Sequence, residues 1–367
     1  MKILLLGEYS NVHATLAEGL RALGQDVVLA SEGDNWKNYP RDIDLFRESN
    51  STWCGIKTYL KIKTLMPQFE NYDVVQIINP VFLPLKAERH YEFYHQLRRN
   101  NGKLFLGAFG MDYYWVKAGL DCKTFRYSDF NIGSQVRPRE DNDIWIHDWL
   151  EGPKGELNRY IADDCDGIVA GLYEYYAGYK PYFPQKLTYI PFPIRKCAEA
   201  ENPKTGEKIK FFIGIQRSRS SYKGTDIMLR ALERVESKYP DACEIVRVEN
   251  VPFEEYKRLM NDSDVILDQL YSYTPAMNAL EAMARGLVVV GGGEPENYEI
   301  LHENELRPIV NVEPNEESVF NQLCNLIEHR KDIPCMKKQS QLYIARHHDH
   351  IKVAQQYLDF WKSKALR

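Results

Sequence analysis

Apolar positions fall into short compact runs separated by stretches with helical spacing. Residues 2–6, 26–30, 74–78, 103–106, 167–170 and 187–190 are such runs, of the length and continuity expected of strands covered on both faces. Most are separated by segments with apolar residues three and four positions apart, such as 12–23 and 89–99, which predicts helices and hence a parallel α/β sheet. After Pro191-Phe192-Pro193 comes a charged stretch, residues 196–208 (KCAEAENPKTGEK), broken by Pro203 and Gly206. The pattern then restarts at 209–215, continues through 244–248, 265–267, 287–290 and 308–312, and ends in a long helix over 350–364. This layout predicts two Rossmann-like domains, residues 1–195 and 196–345, with a C-terminal helix in 346–367 that crosses back toward the first domain.

Length and charge narrow the picture. A chain of 367 residues exceeds what one core usually supports. Lys and Arg number 47 against 52 Asp and Glu, a net charge of -5, so no broad basic field exists for nucleic acid. The seven cysteines include no CxxC pair, which argues against a disulfide framework or zinc site and for thiols in a reducing compartment. No apolar run approaches about 18 residues, and the run KILLLG that follows Met1 is shorter than a signal peptide needs. A cytoplasmic protein is expected. Residues 56–66 (IKTYLKIKTLM) place Lys57, Lys61 and Lys63 beside apolar positions. They read either as a solvated helix face or as a basic amphipathic helix for peripheral contact at the inner face of an anionic membrane.

The most informative segment is residues 264–299, which reads as strand, loop, helix, strand and glycine turn around Glu281. Pro275 turns the chain into a helix over 276–285, and Gly286 ends it. A helix starting at the carboxyl edge of a parallel sheet gathers unpaired backbone N–H groups, which suits a phosphate. Glu281, about a turn and a half in, is placed to accept from a hydroxyl pair. A second cluster, residues 217–226 (RSRSSYKGTD), follows the strand KFFIGI and offers Arg217 and Lys223 to a diphosphate. By itself it would equally be a solvated basic loop.

These residues resemble glycosyltransferase family 4, nucleotide-sugar transferases of the GT-B fold. The resemblance covers most of the second domain and the layout of the first. Arg217…Lys223-Gly224, Ser263-Asp264-Val265, Glu281-Ala282-Met283-Ala284-Arg285-Gly286 and Gly292-Gly293-Glu294-Pro295-Glu296 carry it. It implies two facing Rossmann-like domains with an interdomain cleft, and a retaining transfer from a UDP- or GDP-linked sugar to a glycan or lipid-linked acceptor in surface polysaccharide synthesis. It further implies that Arg217 and Lys223 hold the diphosphate, Glu281 the ribose, and the region of Val251-Pro252 the base. No cofactor or metal is expected, because these cations and the N–H groups near Ala276, Met277 and Asn278 meet the charge. A nucleotide-sugar epimerase and a non-catalytic nucleotide-sugar or glycan-binding protein are the competing readings.

Two positions depart from the family pattern. Its second acid lies eight residues before Glu281, where this chain has Tyr273, in the loop Tyr271-Ser272-Tyr273-Thr274-Pro275. Asp268 or Gln269, with the backbone of 274–278, then becomes the candidate for the donor sugar; the alternative is an ordinary strand end. The His-Gly-x-Asp of the first domain appears as Phe109-Gly110-Met111-Asp112, leaving Asp112 as a candidate for acceptor hydroxyls. Gly7-Glu8-Tyr9-Ser10-Asn11 is not GxGxxG, so a nicotinamide fingerprint is absent. In the GT-B reading that loop supplies Gly7, Glu8, Tyr9 and His13 to the acceptor side, against the plainer reading of His13 as polar surface. Asp164-Cys165-Asp166 reads as a helix end and strand start, and residues 116–156 as a partly irregular aromatic segment with Trp145 and Trp149.

Overall fold

The computed structural model describes residues 1–138, 140–196 and 206–364, so most of the charged stretch 196–208 lies outside the described residues. In chain order the strands are β1 (Lys2–Leu6), β2 (Asp26–Ser31), β3 (Ile43–Asp44), β4 (Val74–Ile77), β5 (Lys103–Ala108), β6 (Asn131–Ile132), β7 (Gln135–Val136), β8 (Gly167–Ala170) and β9 (Leu187–Tyr189), then β10 (Ile209–Ile215), β11 (Cys243–Glu249), β12 (Val265–Leu267), β13 (Val288–Gly291) and β14 (Val310–Asn311). Two compact units result. One holds Met1–Thr124, Pro138–Pro193 and the chain from His350 onward; the other holds Phe125–Arg137 and Ile194–Asp349.

The first unit is a parallel sheet of order β3-β2-β1-β4-β5-β8-β9. Ile3 to Leu6 are fully buried, as their unbroken apolar run requires of a strand covered on both faces. The order reverses between β1 and β4, and in open α/β sheets ligands bind beyond the carboxyl ends of strands at such a point. The C-terminal helix, His350–Ser363, belongs to this unit and packs on the helix Val12–Ala22. That contact is close enough to demand a glycine: a Cβ on Gly19 would lie 2.2 Å from the His350 carbonyl oxygen. Trp361 is fully buried, and its carbonyl accepts from Lys103 Nζ at 2.9 Å.

The second unit is a parallel sheet of order β11-β10-β12-β13-β14. Phe211, Ile213, Met228, Leu232, Leu267 and Val290 belong to its core. The Asp264 noted in the sequence motif is structural. It is buried, takes Lys337 Nζ at 2.5 Å, and accepts from the Lys210 N–H at 2.9 Å, so its charge is paired and its lone pairs used.

Residues 116–156 are more regular than the sequence suggested. They contribute to the helix Tyr113–Leu120, the antiparallel β6–β7 pair, the helix Glu140–Ile146 and a π turn at His147–Glu151. Trp149 is buried. Moreover Phe125–Arg137, assigned from sequence to the first domain, packs with the second unit. The aromatic and arginine side chains of this short segment find partners there, and so small an element carries no periodicity from which that could be read.

Candidate functional site

In the second unit two loops leave neighbouring strands at their carboxyl ends, because β10 and β12 are parallel neighbours with Ile213 opposite Leu267. The first runs through Arg217–Arg219 and the short helix Ser220–Lys223 to Gly224, and the helix Thr225–Lys238 follows. Gly224 has φ +72°, and a Cβ there would fall 2.6 Å from the Leu270 Cβ, so this turn requires glycine. The Lys223 carbonyl accepts from the Leu270 N–H at 2.9 Å, which ties this loop to the one after β12. The Lys223 ammonium has no hydrogen-bond or ion-pair partner among the described residues, whereas Arg217, 79% exposed, donates its Nε to Glu249 on β11.

The loop after β12 enters the helix Met277–Ala284 through Ala276, which supplies no side-chain cap. Its first N–H groups thus have no side-chain acceptor among the described residues. Asp268 is buried; its Oδ1 accepts from Asn278 Nδ2 at 3.1 Å, and Asn278 Oδ1 accepts from the Tyr256 hydroxyl at 2.9 Å. Oδ2 of Asp268 has no hydrogen-bond partner among the described residues. Gln269 and Asn278 are partly exposed, while Thr274, Pro275 and Met277 are buried. Glu281 is half-buried, pairs with Arg285 at 3.4 Å, and has its carboxyl pushed above the ordinary range by burial, against the opposing charges of Arg285, Arg195 and Lys257. Val251 is partly exposed immediately before the helix Phe253–Asn261.

Tyr273 stands where the second acid was expected, and it is buried. Its hydroxyl accepts from the Arg126 N–H at 2.7 Å, and its ring packs against Tyr127 and Phe125 with centroids 5.0 Å and 5.7 Å away. Its carbonyl accepts from the Glu294 N–H at 3.2 Å. Glu294 in turn receives the Tyr127 hydroxyl, Arg126 Nη2 and Asn311 Nδ2, and Glu296 also pairs with Arg126. The segment Phe125–Arg137 therefore forms a strap over the loops after β12 and β13. Sequence reasoning missed Arg126, Tyr127 and Arg137; the interleaving of arginine with aromatic residues was their only signal.

In the first unit the start of the helix Val12–Ala22 meets the loop after β5: the His13 and Phe109 rings are edge to face, 6.2 Å apart. Glu8 is buried and accepts from the N–H groups of Ala14 at 2.8 Å and His13 at 3.3 Å, so it caps the helix Val12–Ala22. Burial pushes its carboxyl up to about 8 despite these hydrogen bonds. His13 is fully buried rather than on the surface, with Nδ1 against the Gly7 carbonyl, Nε2 unpartnered among the described residues, and its pKa lowered by burial to about 3. Tyr9 is half-buried. Asp112 is fully buried and uses both oxygens locally, one for the Trp115 N–H and one for the Tyr179 hydroxyl, each at 2.8 Å. Burial raises it to about 7. That carboxylate is occupied as a helix cap.

Asp164 and Asp166 both pair with Arg98, and Asp166 also accepts from the Leu104 N–H, as a helix end and strand start should. Among the described residues, no group of three or more His, Cys, Asp or Glu side chains is arranged to hold a metal ion.

No protein-family model matches the chain, and no curated protein is similar to it in sequence. Solved structures do match. HepE of Anabaena in complex with UDP and glucose is 12% identical, covering 99% of this chain and 100% of that one, with a TM-score of 0.60. Sucrose-phosphate synthase from Thermosynechococcus elongatus is 13% identical over 99% and 98%, also at 0.60. The putative UDP-N-acetylglucosamine 2-epimerase from Listeria monocytogenes is 11% identical over 98% and 94%, at 0.55. The fold is GT-B. At these identities the likeness is one of architecture, and the chemistry has to be argued from the site.

Proposed function

We propose that the protein transfers a sugar from a nucleoside-diphosphate donor to a hydroxyl acceptor. The observation that carries this reading is the junction of the Lys223 turn with the uncapped start of the helix Met277–Ala284, joined through Leu270. An ammonium unpaired among the described residues and a set of N–H groups on adjacent loops suit a diphosphate that gains charge as the glycosidic bond breaks. Arg217 joins them by exchanging Glu249 for phosphate, and Glu281 accepts from the ribose hydroxyls. Asp268 Oδ2, with Gln269 and the backbone of 274–278, receives the sugar hydroxyls. In this reading no metal takes part, the transfer proceeds with retention, and of the loop Gly7–Tyr9 the partly exposed Tyr9 faces the acceptor side, Glu8 and His13 being buried behind it. A surface glycan, free or lipid-linked, is the proposed acceptor. HepE, solved with UDP and glucose, supports the donor class.

A membrane-facing role for the first unit is supported by the helix Thr52–Leu65, which exposes Trp53, Ile56 and Leu60 along one stripe beside Lys57 and Lys61.

The epimerase reading is favoured by a different observation, that an enzyme described as a UDP-N-acetylglucosamine 2-epimerase shares the fold, while Tyr273 in place of the acid points to non-catalytic binding. Incubating the protein with UDP- and GDP-sugars, with and without glycan acceptors, separates the two. Acceptor-dependent release of nucleoside diphosphate supports transfer; interconversion of the donor sugar without acceptor supports epimerisation, and neither reaction leaves a binding protein.

A further inference from the structure

Arg137 closes the strap, and it is a buried cation, only 9% exposed. Its guanidinium carbon lies 3.4 Å from the centroid of the Tyr271 ring. Nη1 donates to the carbonyls of Asp129 at 3.1 Å and Ser128 at 3.4 Å, while Nη2 donates to the Ser221 carbonyl at 3.0 Å. One planar group thus joins three pieces of chain: the strap, the Tyr271 loop after β12, and the turn that presents Lys223 two residues beyond Ser221. Asn131, fully buried, braces the strap by donating to the carbonyls of Phe125 and Gly133. The other end of the strap is fixed by Arg126 on Glu294 and Glu296.

We propose that Arg137 is a positioning residue that holds the Lys223 turn against the Tyr271 loop in the geometry that receives the donor diphosphate. The inference rests on the nucleotide reading of this site and adds a residue to it from a distant part of the chain. The physical basis is pre-organisation: a loop already fixed in its binding conformation loses less freedom when the phosphate arrives. Arginine fits because a flat guanidinium donates along several in-plane directions while its face stacks on an aromatic ring. Lysine cannot reproduce both contacts at once.

The test compares Arg137→Lys and Arg137→Met with wild type by calorimetry, using UDP, UMP, GDP and GMP, and by hydrogen exchange over residues 217–224. For whichever base the wild type binds, Arg137→Met should lower the ratio of diphosphate to monophosphate affinity at least tenfold and speed exchange in that turn. Arg137→Lys should fall between the two. An equal loss for both phosphates, or an unchanged ratio, overturns the proposal and leaves Arg137 as a packing contact. Should Arg137→Met fail to fold, Arg137→Lys carries the same comparison, and an unchanged ratio there overturns it. If the wild type binds none of the four nucleotides, the nucleotide reading itself fails and takes the positioning role with it, whatever the exchange data show.

Discussion

The hydroxyl of Tyr273 accepts a hydrogen bond from the backbone N–H of Arg126, a residue 147 positions away in the sequence. The position expected to carry an acid for the donor sugar is thereby committed to holding the strap. Sugar recognition in this unit then falls to other groups, of which Asp268 is the nearest carboxylate.

Lys223→Ala should lower turnover by about two orders of magnitude with the melting temperature nearly unchanged, because its ammonium has no ion pair to lose among the described residues. Arg217→Ala should act in the same direction, and activity should persist in excess EDTA. Near-wild-type turnover in both variants, or rescue of an EDTA-treated sample by magnesium or manganese, would move the diphosphate site elsewhere.

Glu281→Gln should weaken nucleoside-diphosphate binding by roughly 1 to 3 kcal/mol. Burial raises the Glu281 carboxyl, so its protonated fraction grows at a higher pH than for an ordinary glutamate. Wild-type affinity should fall as pH is lowered through that raised pKa, and the glutamine variant should lack this acid limb. An identical acid limb in both, measured by calorimetry, assigns the titration to another group.

Asp268→Asn should weaken the intact nucleotide-sugar more than the free nucleoside diphosphate, since Oδ1 is held by Asn278 and Oδ2, without a partner among the described residues, is left for a ligand. Equal losses for the two ligands with a lowered melting temperature would mean that Asp268 serves only to hold Asn278 and, through it, Tyr256.

Glu8 governs a pH-dependent stability term. Its folded pKa, about 8, lies above its ordinary value of 4.5, so the folded state binds the proton more tightly than the unfolded chain. The contribution is fully present below about pH 4.5 and is lost as pH rises through about 8. His13 has the opposite sign, being lowered to about 3, so its destabilising effect appears as pH falls below about 6.5. Glu8→Gln should flatten the melting temperature between about pH 5 and 9; a profile unchanged from wild type counts against the shifted carboxyl.

The exposed stripe of the helix Thr52–Leu65 should bind vesicles containing anionic lipid, and Trp53→Ser with Leu60→Ser should reduce that binding at least tenfold. Co-sedimentation equal to that of wild type would return this helix to the solvated reading.

Local regularities were legible without the structure. Most strands of both sheets follow from short apolar runs, because a strand covered on both faces marks itself in sequence by apolar residues at nearly every position; β3 (Ile43–Asp44), two residues long, has no such run and was not read. The helix Met277–Ala284 announced itself by Pro275 and Gly286, whose backbone constraints act within a few residues. That Lys223 ends the turn after β10 and Glu281 lies within this helix was legible because both places follow from those same elements. Which carboxylates are already used was not legible: Asp112 caps a helix and binds Tyr179, and Asp264 pairs with Lys337, contacts fixed by packing between residues far apart in the chain. The strap was hidden for the same reason. Phe125–Arg137 is too short to have a period, and its partners, Tyr271, Tyr273, Ser221 and Glu294, are brought to it only when the second sheet has formed and its loops lie side by side.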